Sequence, residues 1–326
     1  MRLMSTLTKL VMLTKKIFRD FLYPLKYSIN NVSLDSGFLY YFDFNESELL
    51  KGGSQKFLFD SEGVPLLPHY LQSSNTGTHY YPISIGQYAL AIYHEYQKFK
   101  KKEDLKRFLN LANWFVTNQN QNGFWYSHTD MSKFQLSQPW VSAMAQGRAI
   151  SVLTRAFHVT DERKYLNSAL KALETFSVKT KDGGITTVLG VDSVFYQEYP
   201  GKTNSFVLNG AIFALWGLYD LYLLGEEGAS ESKEYFKKGV NGVLSKIESY
   251  DIGFWTKYDL YPKNGLNACT SHYHDIHIKQ MKVMHQLTKE NIFKEKYELW
   301  SDYDCNINLL KAYFYKISIV YKRLTT

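Results

Sequence analysis

Cysteine is nearly missing from this chain of 326 residues, which holds only Cys269 and Cys305. They form no Cys-x-x-Cys pair and are too few for the disulfide framework of a secreted domain, so two free thiols in a reducing, cytoplasmic compartment are expected. Apolar runs of membrane-spanning length are missing too. Val11-Met-Leu13 is the longest candidate near the start, and Lys9, Lys15, Lys16 and Arg19 interrupt it. No small-residue cleavage site follows, which argues against a signal peptide. Residues 1–35 therefore read as a basic helical segment, packed on the rest of the chain or resting on the anionic inner face of a membrane. The glycine fingerprint of a dinucleotide-binding turn is also lacking, so no redox cofactor is implied.

Aromatic residues, by contrast, are abundant. They make up 16% of the chain, with 26 tyrosines. A tyrosine offers a flat apolar face and a polar tip, which suits carbohydrate as well as an ordinary core. The formal net charge is +7, which favours an acidic partner. The excess lies in Lys15 to Arg19, Lys98 to Arg107, and Lys322 and Arg323, and these read as solvated faces. No nucleic-acid-binding motif accompanies them, so nucleic acid is not expected as a partner.

Residues 36–80 read as a small β region. Phe38 to Phe44 is rich in aromatics, Lys51-Gly-Gly-Ser54 is a turn, and Lys56-Phe-Leu-Phe59 is a candidate partner strand. From residue 81 to 326 the chain repeats itself. Apolar helices are predicted at Tyr81 to Tyr96, Val141 to Phe157 and Phe206 to Tyr222, with a more polar copy at Tyr273 to Leu287. Gly86, Gly147 and Gly210 fall at similar places in the first three. Each costs about 1 kcal/mol relative to alanine, so close approach of inner helices is the expected reason for them. Amphipathic helices follow at Glu103 to Thr117, Arg163 to Val178, Glu231 to Ser249 and Asn291 to Tyr303. Short glycine-containing elements begin at Asn122, Asp182 and Ile252. Four inner helices and four outer ones describe a mainly α, (α/α)4 toroid with a funnel at the inner-helix starts. Ile307 to Leu324 reads as a last covering helix.

One stretch organises this pattern, Tyr196 to Asp220. Its first half is a polar loop carrying Glu198 and Tyr199. Its second half is apolar on nearly every face of a helix, which implies burial on all sides. An acid and a phenol thus stand on a loop at the mouth of a central helix, where a rigid scaffold can aim them.

Several short motifs share an order and spacing. They are Asp60-Ser-Glu-Gly-Val-Pro65, Tyr81-Pro-Ile-Ser-Ile-Gly-Gln-Tyr-Ala-Leu90, Ser142-Ala-Met-Ala-Gln-Gly-Arg-Ala-Ile-Ser151, Glu198-Tyr-Pro200, Phe206-Val-Leu-Asn-Gly210, Gly217-Leu-Tyr-Asp-Leu221 and Tyr273-His-Asp-Ile-His-Ile278. Together, over roughly residues 38–287, they resemble the D-glucuronyl C5-epimerases. The resemblance implies an (α/α)4 barrel, a homodimer, and inversion of C5 of glucuronate in an anionic glycan such as heparosan. It also implies that Glu198 and Tyr199 are the catalytic Glu-Tyr pair, with Tyr258 and Tyr273 as two further site tyrosines. The chain departs from the animal enzymes in having no N-terminal membrane anchor and little room before Phe38 for their β-barrel. Tyr261 also stands where they have an arginine implicated in substrate binding, which leaves the substrate open.

Epimerisation at C5 removes a carbon-bound proton beside a carboxylate. It needs a base on one face, an acid on the other, and groups that draw negative charge onto the carboxylate oxygens. Glu198 is assigned to one face and Tyr273 to the other, with Tyr199 and Tyr258 orienting the sugar. A phenol can act as an acid directly but needs a nearby cation to act as a base. Tyr81, Gln87, Asn209 and His274 are candidate substrate contacts. Arg148, in an apolar inner helix, must either meet a substrate carboxylate or pair with an internal acid. Lys257 and Lys263 flank Tyr261 and could replace the arginine, and His128 is a candidate outer contact. His274 and His277 share a helix face with Asp275 nearby, which raises a metal site. Capping and packing explain the same histidines, and no metal is assigned. A uronate lyase starting from the same abstraction, or an inactive glycan-binding protein, are the rival readings.

Overall fold

The computed structural model describes residues 17, 20–22, 26–52, 58–68, 77–262 and 267–325, without the side chains of 51–52 and 319–325. It is mainly helical, with small sheets. Lys263 and most of the basic segment before residue 26 lie outside the described residues. The chain divides into two compact units. One holds the described residues from 28 to 248 and takes in 259–262. The other holds the described residues up to Tyr27, Ser249–Tyr258 and the chain from residue 267 onward.

The larger unit opens with β1 (Ser28–Ile29) paired antiparallel to β2 (Phe42–Asp43), then α1 (Glu46–Gly52). β3 (Leu58–Phe59), β4 (Pro65–Pro68) and β5 (Thr78–Tyr80) form an antiparallel sheet in that order. The aromatic run ending at Phe44 therefore pairs backwards onto residues 28–29, and Leu58–Phe59 pairs forwards onto β4, not onto that run as expected. Asp60 explains the second pairing. Its Oδ1 accepts from the amides of Glu62 and Val64, closing a tight turn between β3 and β4.

Three helix hairpins follow. They are α2 (Pro82–Phe99) with α3 (Lys102–Asn118), α4 (Ala143–Thr160) with α5 (Arg163–Glu174), and α6 (Leu208–Leu223) with α7 (Ser230–Leu244). The first member of each is the more buried, and α6 is buried at every position from Leu208 to Leu218. α4 is central and packs on both α2 and α6. Between α5 and α6 the hairpin β6 (Thr186–Gly190) and β7 (Ser193–Tyr196) was not anticipated from the sequence. In the smaller unit, α8 (Ser271–Thr288) packs on α9 (Asn291–Tyr303), and α10 (Asn306–Thr325) ends the chain. No described helix is long and apolar enough to cross a membrane.

Close approach does explain two of the three in-register glycines. A methyl on Gly147 would overlap the backbone of Phe213 and Ala214, and one on Gly86 would meet Arg148 Cβ at 2.9 Å. At the α4–α6 crossing Gly147 meets Gly217, not Gly210. Below this crossing a fully buried ion pair joins the same two helices, Arg155 Nη1 lying 2.6 Å from Asp220 Oδ2. Tyr41 donates to Asp220 Oδ1 at 3.0 Å, and Arg155 also donates to the Leu39 carbonyl. Such a pair contributes little net stability when whole, because both charges are desolvated, but breaking it strands a charge. Asp220→Ala is expected to cost about 3–5 kcal/mol, read as a lower urea midpoint. An unchanged midpoint would mean that Arg155 finds another partner.

Candidate active site

The loop between β7 and α6 is held at both ends. Gln197 donates its backbone amide to the Ile185 carbonyl and accepts from Ala143 N at the start of α4. Its side-chain Oε1 accepts from Ser205 Oγ and from Phe206 N. Phe206 has a φ of 47°, an uncommon left-handed conformation for an aromatic residue. That kink lets α6 start immediately after the loop. Glu198 is thereby carried onto the first turn of α6, where Gly210 leaves room for it. A methyl on Gly210 would overlap the Glu198 carboxyl.

Glu198 is 3% exposed, and its carboxyl is pushed up to about 7. Burial is the largest cause, since it disfavours the charged form. A hydrogen bond from Tyr199, the positive charge of Arg148 and that of Lys133 pull it back, and Asp259 pushes it further up. Oε2 of Glu198 has no hydrogen-bond partner among the described residues. This carboxyl is poised to gain and to lose a proton near neutral pH.

Tyr199 is buried in aromatic rings. It stacks on Phe134 with centroids 4.4 Å apart and lies 5.5 Å from Trp140. Trp140 in turn meets Tyr81, which meets His79. Phe134 also meets Tyr261 edge-on at 5.4 Å. Arg148 donates from Nη1 to the Ile83 carbonyl and to Gln87 Oε1 at 2.8 Å. Its guanidinium lies 4.6 Å from the centre of the Phe213 ring. Glu198, Tyr199, Tyr81, Gln87, Arg148 and Asn209, which precedes Gly210 and is buried, thus belong to one region of the larger unit.

Of the other predicted residues, Lys257, Tyr258, Tyr273, His274 and His277 lie in the smaller unit, and His128 lies in the larger one. Tyr258 and Tyr273 pack edge-on, 4.7 Å apart. Lys257 is half-buried, its backbone amide donating to the Tyr250 carbonyl. His274 has no exposed surface. It stacks on Trp255 at 3.7 Å, with Nδ1 2.8 Å from Thr256 Oγ1. His277 is equally buried, its Nδ1 3.3 Å from the same hydroxyl and 3.6 Å from Cys269 Sγ. No cluster of three or more metal-ligating side chains occurs among the described residues. His128 is exposed. Cys269 is buried and Cys305 exposed, and neither is in a disulfide.

Reading the sequence missed Lys133 and Asp259. Lys133 Nζ lies 2.9 Å from Oδ2 of Asp259, a carboxylate with no exposed surface. Asp259 stands inside the Tyr258-Asp-Leu260 motif, and its acid in an apolar setting was the available signal. Nothing near Lys133 in the sequence marks it.

Two pH effects follow. Glu198 has a folded pKa above its ordinary 4.5, so its contribution is fully present below pH 4.5 and is lost as pH rises through about 7. Relative to wild type, Glu198→Gln should gain up to about 3 kcal/mol across that window, measured by urea unfolding at several pH values. A difference independent of pH would refute the raised pKa. His274 and His277 behave oppositely, since burial holds each down at about 3 against an ordinary 6.5. Their contribution is present above pH 6.5 and is lost as pH falls towards 3. His274→Gln/His277→Gln should flatten the acid limb of the stability curve, and an unaltered limb would assign acid unfolding elsewhere.

A family model described as the D-glucuronyl C5-epimerase C-terminus matches residues 118–302. The chain is 34% identical over 221 residues to a D-glucuronyl C5-epimerase of Caenorhabditis elegans, which covers 63% of this chain and 36% of the worm protein. It therefore spans about a third of that relative. An uncharacterised protein of Methanocaldococcus jannaschii is 24% identical over 241 residues, 68% of this chain and 76% of the archaeal one.

Proposed function

Because the chain belongs to the family of the D-glucuronyl C5-epimerase C-terminus, we propose that it is a uronyl C5-epimerase. In this reading it is an isomerase that converts D-glucuronate to L-iduronate within an anionic glycan. The observation that carries the reading is Glu198, a buried carboxyl brought near neutrality on a loop pinned to the start of a central helix. Inverting C5 requires a group that takes a proton in one direction and returns it in the other. A pKa near the working pH serves both tasks.

In the proposed mechanism Glu198 exchanges the C5 proton on one face of the sugar. Tyr273 supplies or receives the proton on the other face, since a phenol can donate a proton without further activation. Tyr199 donates to the Glu198 carboxyl and, on removal of the C5 proton, keeps that carboxyl oriented. Tyr258 packs on Tyr273 and sets its ring. Negative charge accumulating on the uronate carboxylate must be met by positive charge or hydrogen-bond donors. The four helix hairpins are taken to be the units of an (α/α)4 toroid, on their common order of a more buried helix followed by an amphipathic one.

The reaction predicts solvent exchange. In heavy water, deuterium should enter C5 of glucuronate residues while the glycan keeps its length. Glu198→Gln and Tyr273→Phe should each lower the exchange rate by at least about 100-fold, the scale of one general acid or base. No label above a boiled control would sink the epimerase reading. Shortened chains bearing an ultraviolet-absorbing unsaturated uronate would replace it with a lyase. Full exchange by folded Glu198→Gln would show that the proton passes through another group.

A further inference from the structure

Around Tyr199 three segments distant in sequence are knitted together. The 3₁₀ turn Ser132–Phe134 stacks its last ring on Tyr199, and a methyl on Gly201 would overlap the Phe134 carbonyl. Residues 259–261 join the same loop through the Leu260 amide, which donates to the Ser205 carbonyl at 3.0 Å. The Asp259 carboxylate clasps this assembly from inside. Its Oδ1 accepts from the Tyr261 amide at 3.1 Å, and its Oδ2 meets Lys133 Nζ at 2.9 Å.

A site for a uronate must hold its carboxylate. Two cations act electrostatically on Glu198, Arg148 and Lys133. Arg148 is 2% exposed, and its Nη1 is committed to the Ile83 carbonyl and Gln87. Lys133 is different in kind. Its side chain is 42% exposed although its partner Asp259 is wholly buried. A lysine ammonium carries three donors, so a carboxylate arriving from solvent can be bound while Asp259 keeps hold. The buried anchor also removes much of the rotamer freedom that a surface lysine would lose on binding. Lys133 Nζ lies 4.6 Å from the centre of the Phe134 ring, and that ring stacks on the phenol that contacts Glu198.

We infer that Lys133, positioned by Asp259, is the specificity-determining residue that binds the carboxylate of the reacting uronate. The inference rests on the epimerase reading above and adds the residue that selects a uronate over a neutral sugar. Asp259 is a positioning residue: it does not touch substrate, and it fixes where the ammonium stands. Tyr261, beside it, orders this corner through its backbone amide and its ring.

The test uses the full chain, a glucuronate–N-acetylglucosamine oligosaccharide, and the same oligosaccharide with its carboxyl groups reduced to alcohols. Removing Lys133 alone would leave Asp259 buried with an uncompensated charge. The informative variants are therefore Lys133→Arg and the charge-neutral pair Lys133→Gln/Asp259→Asn, each checked for wild-type-like unfolding. Calorimetry should show wild type binding the uronate form at least 10-fold more tightly than the reduced form. The neutral pair should lose that preference and raise KM for deuterium exchange by 10-fold or more, with a smaller change in kcat. Lys133→Arg should retain most of the preference. A folded neutral pair that keeps the preference overturns the role of Lys133 while leaving the epimerase reading intact. If wild type binds the uronate form without exchanging C5, and the neutral pair loses that binding, the carboxylate site stands and the epimerase reading falls. Equal affinity of wild type for both forms overturns the carboxylate site.

Discussion

The contact on which the larger unit depends is the backbone approach of α4 and α6 at Gly147 and Gly217. Neither position tolerates a methyl without displacing the other helix. Interiors pack as densely as organic crystals, so so close a crossing leaves little freedom to either helix. The Arg155–Asp220 pair lies on the same two helices, with Tyr41 bringing the β2 region onto it. That pair gives the crossing a polar register, because a slide of one helix would separate two desolvated charges. The α6 start is therefore set in place relative to α4, and with it the surface against which Glu198 lies.

Glu198 is the consequence of that placement. Gly210 allows the carboxyl to lie against the first turn of α6, and Phe206 takes a left-handed turn just before that helix begins. Burial raises the pKa, and the field of Arg148 and Lys133 limits the rise. The balance near neutrality belongs to the assembly and not to the residue. It needs α4 and α6, the 3₁₀ turn at Ser132–Phe134 and the segment around Asp259 together.

The helices were legible in the sequence because their signals are local. Apolar periodicity located eight helices, most of them to within a few residues at each end, and α9 runs from Asn291 to Tyr303 as read. The continuously apolar α6 was readable as buried on all sides. The strands were not readable in the same way. Two-residue pairings such as β1 with β2 depend on which distant segment is available, and the aromatic run alone cannot name its partner. Glu198 and Tyr199 stood out because an acid and a phenol preceded a helix with no polar face. Lys133 did not, because its meaning comes from a carboxylate 126 residues away. Gly210 was read as a helix-packing glycine, and its contact is with the acid instead.

The electrostatics of the site constrain any uronate that enters it. A second carboxylate near Glu198 disfavours ionisation of the first and would push its pKa further above 7. Glu198 would then remain protonated and could not accept the C5 proton. The proposed epimerisation needs a cation that arrives at the substrate carboxylate before the proton moves, and that does not itself need desolvating at that moment. Arg148 sits under Phe213 and Gln87, where its charge already contributes to the resting balance. A lysine anchored by a buried aspartate, with its own side chain 42% exposed, meets both requirements. Its charge would offset the incoming carboxylate and hold Glu198 in the range where it can both accept and return a proton.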